Sequence, residues 1–290
     1  MRRRRLQWPP ILMLTPPVLI FVVFFVSPLA YLLAFSVFRF DEVLLARPAF
    51  VMDNYAAVLA DPYGHAVVMR TLRVGAVTTL LTLLLGYVLA YRLLYARGLE
   101  RTLLTAIVLS PLVISEVILS YGWFAILAPN SGIVTGLSQA LHLAPVRLMN
   151  TEPAIVIGLT QSTLIYMTLT LQASLIAIDP VHFRAAAALG ASPVQVFRRV
   201  TLPLSLPGVL SGCLLVFALS CSSFAVPQFL GGNQVPLLST YIYNLDSTVI
   251  NYPQAAAASV VLLVLVAASM YGFTAIVERL RDRMGITLER

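Results

Sequence analysis

The chain contains no lysine. All 19 basic residues are arginine, so a phosphate-binding loop of the form GxxxxGK[ST] cannot occur, and any ATP that drives this protein is hydrolysed by another chain. Histidine and cysteine are nearly as scarce. His65, His142 and His182 fall in separate loops, and neither they nor the cysteines show metal-ligand spacing; they read as isolated loop and core residues. Cys213 and Cys221 lie in one apolar run, roughly 12 Å apart along a helix and too far for a disulfide. Charge is sparse as well. Only 11% of the 290 residues are charged, against about 25% in a soluble domain, while 59% are hydrophobic. That balance argues for a membrane protein.

What is present is a series of long apolar runs. Arg2 to Arg5 precede the first, about Ile11 to Phe38, in which Pro16, Pro17 and Pro28 are candidate bends. A basic start before an apolar run also fits a signal peptide, but this run is too long and no small-residue cleavage site follows a short core. The second span is expected at about Thr71 to Leu94 and the third at about Leu103 to Leu127, joined by a tight Ala96-Arg97-Gly98 turn. The fourth is expected at about Pro153 to Ile176, the fifth at about Leu206 to Leu230, and the sixth at about Ala255 to Ile276. Residues 39–69, 129–152 and 233–253 read as loops on one side. In the first of these Asp53 to Leu59 suits a short surface helix, and in the second Asn130-Ser131-Gly132 supplies turn chemistry.

Arginine placement orients this six-span, all-α arrangement. One side receives Arg2 to Arg5, Arg92, Arg97, Arg101, Arg184, Arg198, Arg199, Arg279, Arg281, Arg283 and Arg290, 14 in all. The other receives 5: Arg39, Arg47, Arg70, Arg73 and Arg147. The positive-inside rule puts the first side, with both termini, in the cytoplasm. The net charge of +7 is then a matter of topology and gives no reason to invoke nucleic acid. The expected division is a basic segment at 1–10, a six-span unit at 11–277 and a charged tail at 278–290.

Between the fourth and fifth spans, Asp179 to Gly208 is punctuated as two short helices. Asp179 is placed to cap the first, with Pro180 at its first position, and a run of alanines ends at Leu189 and Gly190, a left-handed stop. Ser192, Pro193 and Gln195 start the second with a capping box, and it is expected to weaken before Pro203. Helices of about ten residues, roughly 15 Å, are too short to cross a bilayer. From the residues alone, this stretch is either an element that docks on a cytoplasmic partner or a connector resting on the membrane surface. A DNA-binding helix-turn-helix resembles it locally but lacks room for an independent domain.

Ala185-Ala186, Leu189-Gly190-Ala191, Phe197-Arg198-Arg199, Thr201-Leu202-Pro203 and Pro207-Gly208 resemble the "EAA" loop of permease subunits of binding-protein-dependent ABC importers. The likeness extends to Asp53-Asn54-Tyr55, Arg70-Thr71-Leu72, Gly86-Tyr87, Ser131-Gly132-Ile133 and Phe229-Leu230-Gly231-Gly232, and the subfamily it resembles is the spermidine/putrescine type. One position departs: Arg184 stands where the motif opens with glutamate, reversing the charge. The resemblance implies a multi-pass subunit of the bacterial inner membrane with no active site of its own. It implies two cytoplasmic ATPase subunits carrying ATP and Mg, a second permease subunit, an extracytoplasmic binding protein and surrounding lipid. It also implies that the loop at 179–205 couples to the ATPase through Arg184, Ala185, Ala186, Leu189, Gly190, Ala191, Ser192, Arg198, Arg199 and Pro203.

Glu116 is the sharpest single residue, an acid expected well inside the third span near Ser115, Tyr121 and Trp123. An intramembrane carboxylate faces a partner or a wet cavity. It is either a contact on a translocation path, suited to a cationic substrate with help from Tyr121 and Trp123, or a protonated or hydrogen-bonded group between helices; the resemblance implies a polyamine-like or other small organic solute. Gln161, Ser162, Thr163, Tyr166 and Thr168 in the fourth span, and Ser220, Ser222, Ser223 and Gln228 in the fifth, are lesser candidates whose hydroxyls also serve helix packing. A stand-alone secondary transporter is the alternative reading. It calls for relays of intramembrane ionisable groups or an internal repeat, and only Glu116 answers the first. An intramembrane serine hydrolase needs a histidine within a span, and none is there.

Overall fold

The computed structural model describes residues 10–129, 132–142 and 147–283. Arg2 to Arg5, Asn130, Ser131 and Arg290 lie outside those residues, as do the side chains of Arg279, Arg281 and Arg283. Among the described residues the chain is helical with no strand beyond a single bridge, Arg39 to Arg47. The elements run α1 (Pro10–Phe21), a π turn (Val22–Val26), α2 (Ser27–Phe35), α3 (Asp53–Leu59), α4 (Pro62–Tyr95), α5 (Gly98–Val113), α6 (Glu116–Leu127), α7 (Ile133–Ala140) and α8 (Glu152–Ile176). They continue as α9 (Pro180–Ala188), α10 (Pro193–Val196), a second π turn (Phe197–Thr201), α11 (Leu202–Leu204), α12 (Leu206–Ser222), α13 (Ala225–Leu230), α14 (Leu238–Ser247) and α15 (Tyr252–Arg283). Leu14–Phe35, Pro62–Tyr95, Glu152–Ile176 and Tyr252–Ala275 are each long and apolar enough to span a membrane. Two bent pairs, α5 with α6 and the segment Pro193–Leu204 with α12, raise the number to six.

The chain forms two compact units. The first comprises residues 1–64 and 242–261. Its opening helix continues through Pro16 and Pro17, and the π turn prepares for Pro28: Ser27 N–H reaches back to Val22 O as the helix widens. The end of α2 is closed by α3. Asn54 Nδ2 donates to the carbonyls of Ser36 at 2.9 Å and Phe38 at 2.8 Å, groups the helix itself leaves unpaired. Asp41 organises the loop between them, accepting from Val43 N and Leu44 N and pairing with Arg47 Nε at 2.6 Å. The Leu44 and Val43 amides, then Arg47, hold its carboxyl below its ordinary pKa.

The second unit, residues 65–241 and 262–290, is built around α8. Ile155, Leu159, Met167, Leu171 and Leu175 of this helix are buried. α12 packs along it antiparallel: Gly212 faces Met167 and Thr170, and Gly208 faces Ser174 one turn further along. The approach is close, since a Cβ on Gly212 would meet Met167 Sδ and Thr170 Oγ1 at 2.6 Å. At its N-terminal end α8 is tied to α4 by Glu152, which pairs with Arg73 and with Arg70 Nε at 3.4 Å.

Several expected boundaries change. α4 begins at Pro62, because Asp61 Oδ2 caps the amides of Tyr63 and Gly64, so 62–69 is helix and not loop. The loops at 129–152 and 233–253 contain α7 and α14. The second helix of the 179–208 stretch does not stop before Pro203. A π turn carries it to Leu204, with Leu202 N–H bonding to Phe197 O. The third and fifth spans are not continuous helices. Ile114 (ψ 132) and Ser115 (ψ 138) are extended, and α5 and α6 meet at 105°. Ser223 (ψ 133) interrupts the fifth between α12 and α13. Each break lies beside a proline whose missing amide is replaced by a serine hydroxyl. Pro111 leaves Ile107 O without its helical donor, and Ser110 Oγ supplies one at 2.8 Å. Pro227 does the same to Ser223 O, which Ser239 Oγ satisfies at 2.7 Å.

Candidate functional site

The first site lies where the two broken spans meet. Glu116 does not sit in mid-helix; it opens α6, just past the Ile114-Ser115 break. Its side chain is exposed, and its Oε1 accepts from Ser223 Oγ at 2.7 Å, so the residues at the two breaks are joined by one hydrogen bond. They border a cavity of about 580 Å³ whose polar walls are Glu116, Ser162, Thr163, Tyr166, Ser222 and Ser223. The apolar walls include Pro111, Ile114 and Phe224. Among the described residues Glu116 is the only charged one lining it. A carboxylate set among hydroxyls and aromatic faces suits a cation, by charge and by ring electrostatics.

Not all the expected path residues gather there. Tyr166 and Ser223, with the lesser candidates Ser162, Thr163 and Ser222, line the cavity with Glu116. Tyr121 lies on the far turn of α6, stacked on Phe124 and edge-on to Phe229. Trp123 Nε1 donates to Gln161 Oε1 at 3.2 Å, an interhelical tie that leaves both outside the cavity lining. Cys213 and Cys221 are buried free thiols, and among the described residues no group of acids, histidines and cysteines has metal-site geometry. The break at Ile114 and Ser115 is concealed by the apolar run around it. Its signal was Ser110-Pro111 followed by Ser115 and Glu116, a proline and then a helix start inside an apolar run.

The second site is the stretch between α8 and α12. Asp179 Oδ1 accepts from Val181 N at 2.8 Å, as a cap. Gly190 has φ +71, a conformation a residue with a Cβ enters at a cost of about 1–2 kcal/mol. Ser192 and Gln195 form a reciprocal capping box, with Ser192 N bonding to Gln195 Oε1 at 2.9 Å. Two aromatic side chains hold this stretch to the helices beneath. Phe183 packs on the α8–α12 core, and Phe197 meets Tyr87 edge-on at 5.4 Å, with Tyr91 at 6.1 Å. Tyr87 in turn shares a 2.8 Å hydrogen bond with Ser205.

With the phenylalanines turned inward, several other side chains of the stretch turn out. Leu189 is 88% exposed and Val194 66%. Arg184, Ala185, Ser192, Arg198 and Arg199 are exposed, Ala186, Ala191 and Pro203 half-buried. Ser192, Val194, Gln195, Arg198 and Arg199 line a second recess of about 400 Å³.

Residues 82–283 match the protein family described as binding-protein-dependent transport system inner membrane component. The spermidine/putrescine transport system permease protein PotB of Escherichia coli (strain K12) is 30% identical over 246 residues, covering 84% of this chain and 89% of that protein. PotB of Haemophilus influenzae is 34% identical over 217 residues, covering 74% and 76%. Among solved structures, a bacterial ABC transporter involved in the import of the acidic polysaccharide alginate superposes with a TM-score of 0.77 over 94% of this chain and 96% of that one. At 20% identity that likeness speaks to the fold alone.

Proposed function

The chain belongs to the family of inner-membrane components of binding-protein-dependent transport systems and is a permease subunit of an ABC importer, and from that premise we propose how it works. The stretch at 179–205 couples the permease to a cytoplasmic ATPase, and the cavity at the helix breaks lies on the path of a small organic cation. The observation that carries the coupling reading is the outward presentation of Leu189 and Val194 on a loop fixed by two caps, a left-handed glycine and two half-buried phenylalanines. A connector lying on a bilayer would have no need of so rigid a reversal.

The path reading rests on Glu116. An exposed carboxylate between two apolar broken spans is costly against lipid, so this face belongs against water or another protein chain. A second permease subunit placed there completes the path, and an extracytoplasmic binding protein delivers the solute. Relatives named for spermidine and putrescine transport support an organic cation of that kind. ATP and Mg belong to the ATPase subunits, two per complex. Closure of those subunits moves the coupling helices and switches access from one side to the other.

Orientation is the first test. In a variant lacking Cys213 and Cys221, Ser192→Cys should react with an impermeant thiol reagent only from the cytoplasmic side, as should a cysteine at Gly98. Cysteines at Asp53 and Asn244 should react only from outside. Labelling of Ser192→Cys from outside removes the coupling assignment. For the substrate, Glu116→Gln should lower uptake of a cationic solute at least about tenfold while ATPase subunits still assemble. Unchanged uptake leaves Glu116 a structural residue.

A further inference from the structure

We infer that the ATPase cleft receiving this loop is acid-rimmed around an apolar floor. It is of opposite charge to a cleft that would receive a loop opening with glutamate. The inference rests on the coupling reading above and adds to it the chemistry of the partner.

The charge of the loop is one-sided. Between Asp179 and Ser205 the ionised residues are Arg184, Arg198, Arg199 and a single acid, Asp179. That acid is already engaged, its Oδ1 accepting the Val181 amide at the start of α9. The three arginines are exposed, and among the described residues none of them forms an ion pair. Elsewhere in the same unit Arg70 and Arg73 share Glu152, and Arg92 meets Glu100 at 2.7 Å. Arg97, Arg101 and Arg147 are likewise without an ion pair among the described residues; what sets this loop apart is three such arginines on one capped stretch whose single acid is already engaged.

Their placement defines what fits. Arg198 and Arg199 stand at one wall of the 400 Å³ recess whose other walls are the Ser192–Gln195 capping box and Val194. A recess with guanidinium groups and no carboxylate accepts a carboxylate side chain, for which arginine offers paired donors. Arg184 lies on the other helix, one residue past the anchoring Phe183. Leu189 projects at the reversal between the helices, 88% exposed, and requires an apolar pocket once it leaves water. The surface is thus an apolar knob between two basic flanks. Its complement is an apolar socket with acids on both sides.

Anionic lipid headgroups also attract arginine, and the test separates the two. The permease is placed in nanodiscs of zwitterionic phosphatidylcholine alone, and binding of its cognate ATPase subunit is measured at about 50 and 300 mM salt. The wild-type affinity should fall at least about tenfold over that range. At low salt Arg184→Glu should weaken binding at least about tenfold, and Arg184→Gln by less. The paired change Arg198→Glu with Arg199→Glu should weaken it further, and each variant should flatten the salt dependence. Binding of wild type that ignores salt and survives all three substitutions overturns the acidic cleft and leaves docking itself standing. Tighter binding by Arg184→Glu overturns it too, showing a basic cleft. A charge effect present with phosphatidylglycerol and lost in pure phosphatidylcholine assigns the arginines to lipid and overturns it as well. No ATPase binding by wild type in either lipid overturns the coupling reading along with it.

Discussion

The two recesses of the second unit are opposites. The cavity at the helix breaks holds one carboxylate, Glu116, with hydroxyls around it and no cation. The recess of the 179–205 loop holds Arg198 and Arg199 and no acid. Among the described residues neither is neutralised by an ion pair from within, whereas Arg73 elsewhere in the unit is paired with Glu152. On the proposed function, the complement at the cavity is a passing cation and at the loop a partner protein.

The contrast can be broken at its root. α8 and α12 supply walls to the cavity, and the loop joins them, so both recesses depend on their crossing. Gly212→Leu drives a side chain into Met167 and Thr170 and should cost roughly 1–3 kcal/mol or more. The expected outcome is a large loss of detergent-stable protein, with both transport and ATPase assembly failing together. Monodisperse yield by size-exclusion chromatography checks it.

Smaller changes should separate the recesses. Ser192→Ala removes half of the capping box, about 1 kcal/mol of local stability, and should reduce ATPase assembly while solute binding at the cavity is unaffected. Ser223→Ala removes the donor to Glu116 and should weaken transport of a cation by roughly fivefold, the equivalent of about 1 kcal/mol. ATPase assembly should not change. Reconstituted uptake and subunit pull-down, measured on both variants, show whether the two effects cross over.

The smallest effect should spare both recesses. The Asp41 carboxyl lies in the other unit and titrates below its ordinary value of 3.8 in the folded chain. A depressed acid contributes stability above its unfolded pKa and loses it as pH falls through the folded one. Below about pH 4 the turn at Val43 and Leu44 should therefore loosen, read as faster proteolysis at 41–47, and Asp41→Asn should show the loosened turn already at neutral pH.

The same comparison explains what the sequence made legible. The loop was readable because each signal is local. Asp179 with Pro180, Gly190, and Ser192 with Gln195 fix their conformations within a few residues, and each appears as expected. The polar residues of the cavity are all legible as candidates, but the two breaks that bring them together are not, because the contacts across them are not local. Ser110 covers Ile107 O within its own helix, but Ser223 O is satisfied by Ser239 from a distant part of the chain, and Glu116 finds Ser223 across 107 positions. Apolar composition carried both spans through their breaks, so Glu116 was expected in mid-helix. Pro203 misled in the opposite sense, since a π turn rather than a helix end absorbs its missing amide.

The central claim is that the loop transmits ATPase closure to the path, and Gly190→Val tests it most directly. Valine at φ +71 opposes the reversal by at least about 1 kcal/mol and displaces Leu189 from its presented position. The measurement is ATP hydrolysis and solute uptake by the complex in proteoliposomes, with and without loaded binding protein. The account predicts a permease that still inserts, uptake close to background, and hydrolysis that no longer responds to the binding protein. Uptake and stimulation at wild-type levels in Gly190→Val would contradict it.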